Sequence, residues 1–264
     1  MEKSTYIHGT DEPEQQRLAD LNRLTNPSFV EFLDAVGVQK ILEVGSGLGI
    51  LAQDCARRYS PARVFGVEYS HHQLARVPSS PRLHFACADA HSLPFATGAF
   101  DLVYSRYVLE HVTHPVDVLH EMHRVLRPGG KAVAQENNIL INVFDPDCPT
   151  FDHIWKQFAS LQQKLGGDAL IGKRLFRYFR EAGFERIELS YQPEIHYSGT
   201  PGFRPWVVNL IGNIRGGAQA LVQLGLAHQA EIDRSIAELT ALMDRPDASA
   251  LFYWNRALGV KPTA

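Results

Sequence analysis

The residues best able to do chemistry come in order along the first half of the 264-residue chain. Glu43-Val44-Gly45-Ser46-Gly47-Leu48-Gly49 is a carboxylate followed by a glycine-rich turn, and glycines let a backbone bend sharply and approach a ligand with no Cβ in the way. Glu68 closes the run Val64-Phe65-Gly66-Val67, where one carboxylate can accept from both hydroxyls of a ribose. Asp89 follows Ala86-Cys87-Ala88 and precedes Ala90, a position from which it can accept from an adenine amine. His111, in Leu109-Glu110-His111-Val112, carries the side chain whose ordinary pKa suits proton acceptance near neutrality. A histidine there can equally pack against or cap the next helix. Glu136-Asn137-Asn138 offers a carboxylate and two amides, which can orient a polar ligand head or satisfy loop backbone groups.

These residues need elements that hold them at one edge. Lys40 to Val44, Arg63 to Val67, Leu83 to Ala86, Phe100 to Tyr104 and Lys131 to Gln135 are short apolar runs that read as strands. Helical patterns separate them, from about Ile50 to Tyr59 and from Pro115 to Leu126, the latter ended by Pro128-Gly129-Gly130. Strands joined through helices pair in parallel by right-handed crossovers, which gives a doubly wound α/β sheet. Every candidate above then lies at a carboxyl strand end, where open α/β sheets bind ligands. Ahead of the sheet, Asp11 and Glu14 form a candidate capping box, and Asn26-Pro27 is read as restarting a second helix that Gly37 closes. After Asn138 the spacing predicts amphipathic helices around Phe151 to Leu165, from Gly172 to Ala182 and across Thr200 to Asp244. Strands are expected at Glu185 to Tyr191 and Leu251 to Trp254.

Taken alone, the glycine turn would also suit a dinucleotide, but a dinucleotide loop prefers glycine at 45, 47 and 50, and position 50 is Ile50. The ordered set of the glycine loop, Glu68, Asp89, Asp101-Leu102-Val103-Tyr104-Ser105 with Leu109-Glu110-His111-Val112, and Leu126-Arg127-Pro128-Gly129-Gly130-Lys131 resembles the class I S-adenosylmethionine-dependent methyltransferases. The likeness is to the branch with ubiquinone, menaquinone and natural-product enzymes, over about Gln39 to Gln135. The resemblance implies a mostly parallel, seven-stranded Rossmann-like sheet with an inserted helical lid. It implies S-adenosylmethionine as cofactor, held by Glu43, Gly45, Ser46, Gly47, Gly49, Glu68, Tyr69, Gln73, Asp89, Ala90, Ser105 and Arg106. The opening segment from Tyr6 through Leu24 looks like a bacterial leader that folds over the cofactor, which adds Tyr6 and Arg17. The domain organisation expected is a helical leader over residues 1–36, a cofactor core over 37–137, and the remaining sheet with its lid over 138–264, the lid lying at about 138–170 and 198–248.

Methyl transfer from a sulfonium needs alignment and exclusion of water, with a base only where the attacking atom must lose a proton. His111 and Glu136 are the candidate catalytic groups. Tyr107, Asn137, Asn138, Trp155, Tyr197 and Trp206 are the candidate acceptor contacts, whose aromatic share suits an aromatic or apolar metabolite. The helical stripe Lys173, Arg174, Arg177, Arg180, with His196 and Arg204, reads as a solvated face or as a site for a phosphorylated isoprenoid. Methyl transfer to oxygen or carbon is the leading expectation. A quinone or isoprenoid acceptor, non-methylating chemistry on the bound sulfonium and a nicotinamide oxidoreductase are the rivals.

Composition narrows the classes further. A formal net charge of -3 gives no basic footprint for nucleic acid. The 3 cysteines, Cys55, Cys87 and Cys148, are too few and too scattered for a disulfide framework or a metal knuckle, so no metal is expected. Met1 to Gln16 is polar and no apolar stretch approaches the length of a membrane span, so a cytoplasmic protein that binds a small molecule is expected, possible as a homodimer.

Overall fold

Five apolar runs re-enter one sheet in the same direction, with helical segments between all but the third and fourth, which a helix-free loop joins. The computed structural model describes residues 12–75, 77 and 80–263 of the chain. Strands β1 (Lys40–Val44), β2 (Arg63–Glu68), β3 (Leu83–Cys87), β4 (Phe100–Arg106) and β5 (Leu126–Glu136) pair in parallel in the spatial order β3-β2-β1-β4-β5. Beyond β5 the sheet turns antiparallel. A long strand β8 (Ser249–Val260) pairs β5, and β7 (Glu185–Tyr197) pairs β8 along its whole length. A short strand β6 (Val143–Asp145) continues the β5 edge against Ser249 to Leu251, which makes the sheet eight-stranded where seven were expected.

Helices cover both faces of the parallel part. On one face, α1 (Glu12–Leu33) and α2 (Ile50–Arg58) bury Phe29, Leu33, Leu51 and Cys55 against Ile41, Val64 and Tyr104. On the other, α4 (Pro115–Val125) and α6 (Leu175–Glu181) bury Val118, Met122 and Phe179 against Val103, Ala132 and Ala257; a single turn, α3 (His71–Leu74), follows β2. A third core joins α5 (Pro149–Lys164), α7 (Phe203–Gln223) and α8 (Gln229–Leu242) to the outer half of β8 through Phe151, Trp155, Trp206, Ile214, Leu239, Phe252 and Trp254.

Two local expectations are corrected. The helix break at Asn26-Pro27 is absent: α1 runs through Pro27. Proline removes one helix donor, but this turn is tied from outside. The Arg106 guanidinium donates to Asn22 Oδ1 (2.6 Å), Asn26 Oδ1 (2.5 Å) and Thr25 Oγ1 (3.2 Å), and Thr25 Oγ1 donates to the Leu21 carbonyl (2.9 Å). The two late strands are also far longer than their apolar runs. Glu194 and His196 interrupt the apolar pattern of β7, yet Glu194 faces inward and accepts the Trp254 indole N–H at 2.8 Å, so the strand continues through it. Asp11, the expected capping partner of Glu14, lies outside the described residues.

Candidate cofactor and acceptor site

The carboxyl ends of β1, β2, β3 and β4 open onto a cavity of about 1110 Å³, closed on its far side by α1, α5 and α7. Its floor is the glycine turn. The Gly45 and Ser46 amides both donate to the Val67 carbonyl (2.8 and 2.9 Å), which folds the chain back over β2. Gly45 sits at φ 74, and a Cβ there would lie 2.3 Å from Val108 Cγ2, so both the conformation and the space require glycine.

The Glu68 carboxylate is held by the Gly47 amide (2.9 Å) and the Ser70 amide (2.8 Å), one bond to each oxygen. Each oxygen keeps a lone pair for the cavity that Glu68 lines, the arrangement two ribose hydroxyls need. Asp89, at the end of β3, accepts the His91 amide (2.9 Å) and lies 2.7 Å from His91 Nδ1. Burial works to raise the Asp89 pKa, but the two His91 hydrogen bonds outweigh it and the net shift is downward, which keeps an ionised acceptor at the end of β3.

Glu43 behaves differently. It is buried at the end of β1, its Oε2 has no protein partner, and burial pushes its carboxyl up to about 8 against the pull of Arg106. An unfilled acceptor beneath the loop fits a ligand ammonium group. A carboxyl at about 8 in the fold and 4.5 when unfolded favours the protonated form. Its contribution to stability is complete below the unfolded value and is lost as pH rises through the folded one. The Glu43→Gln variant, which cannot ionise, should gain melting temperature relative to wild type between about pH 5 and pH 9. A gap in melting temperature that stays flat across that range, measured without cofactor, would place the ionised carboxylate in the fold instead.

The outer half of the cavity is aromatic with amide edges. Trp155, Phe158, Trp206, Phe252 and Trp254 form walls, and Asn137, Gln162, Asn209 and Asn213 supply polar groups. Glu110, also lining it, is buried; it accepts from Asn137 Nδ2 (2.6 Å) and Gln162 Nε2 (3.2 Å), and its Oε1 lies 3.8 Å from His111 Nε2. Tyr107 has φ 59, sets its ring centroid 4.4 Å from that of Trp254 at a 41° tilt and accepts from Gln135 Nε2 at 2.8 Å. Burial raises its phenol pKa far above the usual range, so it is a neutral hydroxyl at physiological pH.

The cavity therefore brings together Arg17, Glu43, Gly45, Ser46, Gly47, Glu68, Tyr69, Gln73, Asp89, Ala90, Arg106, Tyr107, His111, Asn137, Trp155 and Trp206 from the sequence candidates. Five others are not on its lining, and Tyr6 lies outside the described residues. Gly49 caps α2 at φ 68, where a Cβ would meet Phe85 and Val77 at 2.9 Å. Ser105 is fully buried within β4. Asn138 caps the turn Ile139–Ile141 with its side-chain oxygen buried. Tyr197 is 56% exposed on the opposite face of β7. Glu136 is wholly buried and accepts the Val108, Leu109 and Glu110 amides (3.2, 3.0 and 3.3 Å). It pins the short turn Leu109–His111 and so positions Glu110 and His111 rather than facing a ligand. Burial and then the charge of Glu110 hold its pKa well above the carboxylate range.

The basic stripe is likewise off the cavity: Arg174 pairs with Asp168, and Arg204 with Asp244 at 3.0 Å. Asn209, Asn213 and Gln162 have no counterpart among the sequence candidates, since single amides in amphipathic helices carry no distinguishing spacing; Glu110 stands in the motif beside His111, where the sequence alone assigns it no role. Among the described residues no group of three or more His, Cys, Asp or Glu could hold a metal ion. None of the described helices is long and apolar enough to cross a membrane.

This fold and this site define a class of protein that binds an adenosyl cofactor at the carboxyl edge of a mostly parallel sheet. Residues 42–134 match the family model described as a methyltransferase domain. The chain is 27% identical over 250 residues to the O-methyltransferase cnsE of Penicillium expansum, covering 90% of this chain and 80% of that protein. It is 35% identical over 184 residues to the methyltransferase GfsG of Streptomyces halstedii, covering 62% and 66%. It spans 50% of the length of another relative, an uncharacterized transposon protein of Streptomyces fradiae. A solved methyltransferase-like structure from an antibiotic biosynthesis pathway of Anabaena variabilis superposes with TM-score 0.64 at 16% identity, covering 93% of this chain and 99% of that one. The chain belongs to the class I S-adenosylmethionine-dependent methyltransferases, and S-adenosylmethionine is the cofactor its site fits.

Proposed function

We propose that the protein transfers a methyl group from S-adenosylmethionine to oxygen or carbon of a small aromatic or otherwise apolar metabolite. The observation that carries this reading is one continuous cavity, with the Glu68 and Asp89 carboxylates at one end and an aromatic wall with amide edges at the other. When bound, the cofactor supplies an electrophilic methyl carbon on a sulfonium and departs as the neutral thioether S-adenosylhomocysteine. Glu68 holds the ribose, Asp89 the adenine amine, and Glu43 with Arg17 the methionine end. Of the expected leader over residues 1–36, the described part, α1, covers this half through Arg17, Leu18, Leu21 and Asn22. The segments carrying α5, α7 and α8 act as the lid, excluding water and holding the acceptor against Trp155, Trp206 and Trp254. His111 takes the proton of an acceptor hydroxyl at a ring nitrogen as that oxygen bonds to the methyl carbon, and the nearby Glu110 carboxylate stabilises the imidazolium.

The test is titration with S-adenosylmethionine and S-adenosylhomocysteine, followed by transfer of labelled methyl to a panel of phenols, quinones and isoprenoids. One-to-one binding and label on a phenol or quinone are expected. His111→Gln should lower kcat by about 100-fold with little change in KM. Folded protein that binds neither cofactor form sinks the reading, and an unchanged kcat in the variant removes His111 as the base.

A further inference from the structure

The outer halves of β7 and β8 carry apolar side chains on both faces, and among the described residues only one face is covered. Inward, Glu194, His196, Phe252 and Trp254 are buried beneath α7. Outward, Leu189, Tyr191, Ile195 and Tyr197 of β7, Leu251 and Tyr253 of β8 and Val143 of β6 are each between 36% and 64% exposed. The antiparallel register sets them side by side: Ile195 opposite Leu251, Pro193 opposite Tyr253, and Val143 opposite Leu251 on the other edge. The Tyr191 and Tyr253 rings meet edge to face at 4.8 Å. Further along this same face, Ile187 and Ala257 are covered by α6, and Gly172 packs close against Asn255. Cover stops there.

With about 150–250 Å² of surface per large aromatic side chain, the exposed parts of these seven residues sum to on the order of 700 Å². Monomeric proteins rarely expose a contiguous apolar patch larger than a few hundred Å², whereas a standard interface takes roughly 800 Å² from each partner.

We propose that a second copy of this chain docks here, face to face about a twofold axis. Among the described strand residues of β6, β7 and β8 that make up this patch one is charged, Asp145, in the outermost row opposite Ser249, and Glu194 turns inward. An anionic surface therefore finds no complementary group, while a nearly neutral face is complementary to itself under twofold symmetry. The area it offers is what one side of a stable dimer needs. Pro193 in the middle of β7 removes a backbone donor and works against extension of the sheet edge to edge, which leaves the face as the docking mode. Because Phe252 and Trp254 on the other side of the same strand form cavity wall, the second copy backs the acceptor half of each site.

Sedimentation velocity from low to high micromolar concentration tests this. The wild type is expected at twice the chain mass of 29.5 kDa, and the double variant Ile195→Lys/Tyr253→Glu at the single mass, with S-adenosylhomocysteine binding kept. A monomeric wild type overturns the proposal, including one that binds liposomes instead, and so does a dimer undisturbed in the variant. Should the variant fail to fold, hydrogen exchange on the wild type decides. Amides of residues 189–197 gain protection as concentration rises if the face is an interface, and concentration-independent exchange there overturns it.

Discussion

Alanine in place of Glu68 lowers the affinity for S-adenosylmethionine by about 100-fold, and this is the largest loss expected from any single side chain lining the cavity. The magnitude follows from what the carboxylate does. One oxygen takes the Gly47 amide and the other the Ser70 amide, so the group is oriented before any ligand arrives and little ordering is left for binding. A hydrogen bond to a charged acceptor contributes about 1.5–3 kcal/mol, and loss of a bidentate acceptor to two hydroxyls at a partly solvated site amounts to roughly 3 kcal/mol, or about two decades in Kd. The substitution also frees the Gly47 amide, loosening the glycine turn. Glu68→Gln, which keeps one acceptor oxygen, should fall between the two, at about tenfold. Calorimetric titration measures all three proteins directly. Wild-type affinity in the alanine variant would mean that the adenosyl group does not lie across the end of β2.

Arg106→Leu should be the most destabilising change in the site, by about 3 kcal/mol, which for a chain of this size is a fall in melting temperature of roughly 10 °C. Arg106 is 9% exposed at the end of β4, and its guanidinium serves three acceptors on one turn of α1: Asn22, Thr25 and Asn26. It also lies over the Phe29 ring at 5.4 Å and the Tyr107 ring at 5.0 Å. Leucine fills part of the volume but leaves buried amide oxygens without donors, and an orphaned acceptor costs more than its bond contributed. The damage reaches the site by two routes. The turn of α1 around Pro27 loses its outside tie, and Asn22 and Leu21 on that turn line the cavity. The Glu43 carboxyl loses the cation that opposes the effect of burial, so it stays protonated to still higher pH. Differential scanning calorimetry with and without cofactor separates the routes. A variant as stable as wild type would show that α1 holds its place without this clamp.

Glu136 and Tyr197 illustrate how far a strand-end motif can mislead. Glu136-Asn137-Asn138 stands at the functional edge of β5, yet only Asn137 reaches the cavity. Glu136 points the other way and gathers three amides of the Leu109–His111 turn, a role that depends on a segment 26 to 28 residues earlier in the chain. Tyr197 is aromatic and near the expected lid, but β7 runs longer than its apolar run. The period of two along a strand then turns Tyr197 to the bare face while His196 goes inward.

By itself the sequence determined the strand-end half of the candidate site. Glu43 stands at the end of the first apolar run, and the glycine turn, Glu68 and Asp89 each follow directly on one. Once those runs pair in parallel, strand ends that are neighbours in the sheet must be neighbours in space, so local order along the chain becomes geometry without further information. The tertiary structure alone decided the rest. The outer wall of the cavity draws on α1, α5, α7 and β8, whose lining residues lie as far apart as Arg17 and Trp254, and an isolated amide such as Asn209 has no local signature of where its helix will dock. The same holds for the unbroken α1, whose propensity to stop at Pro27 is overridden by Arg106, 79 residues further on. Long-range packing and the register of β7 on β8 set which side of each late element meets the cavity and which is left bare. Both are properties of contacts between segments, and neither segment carries them alone.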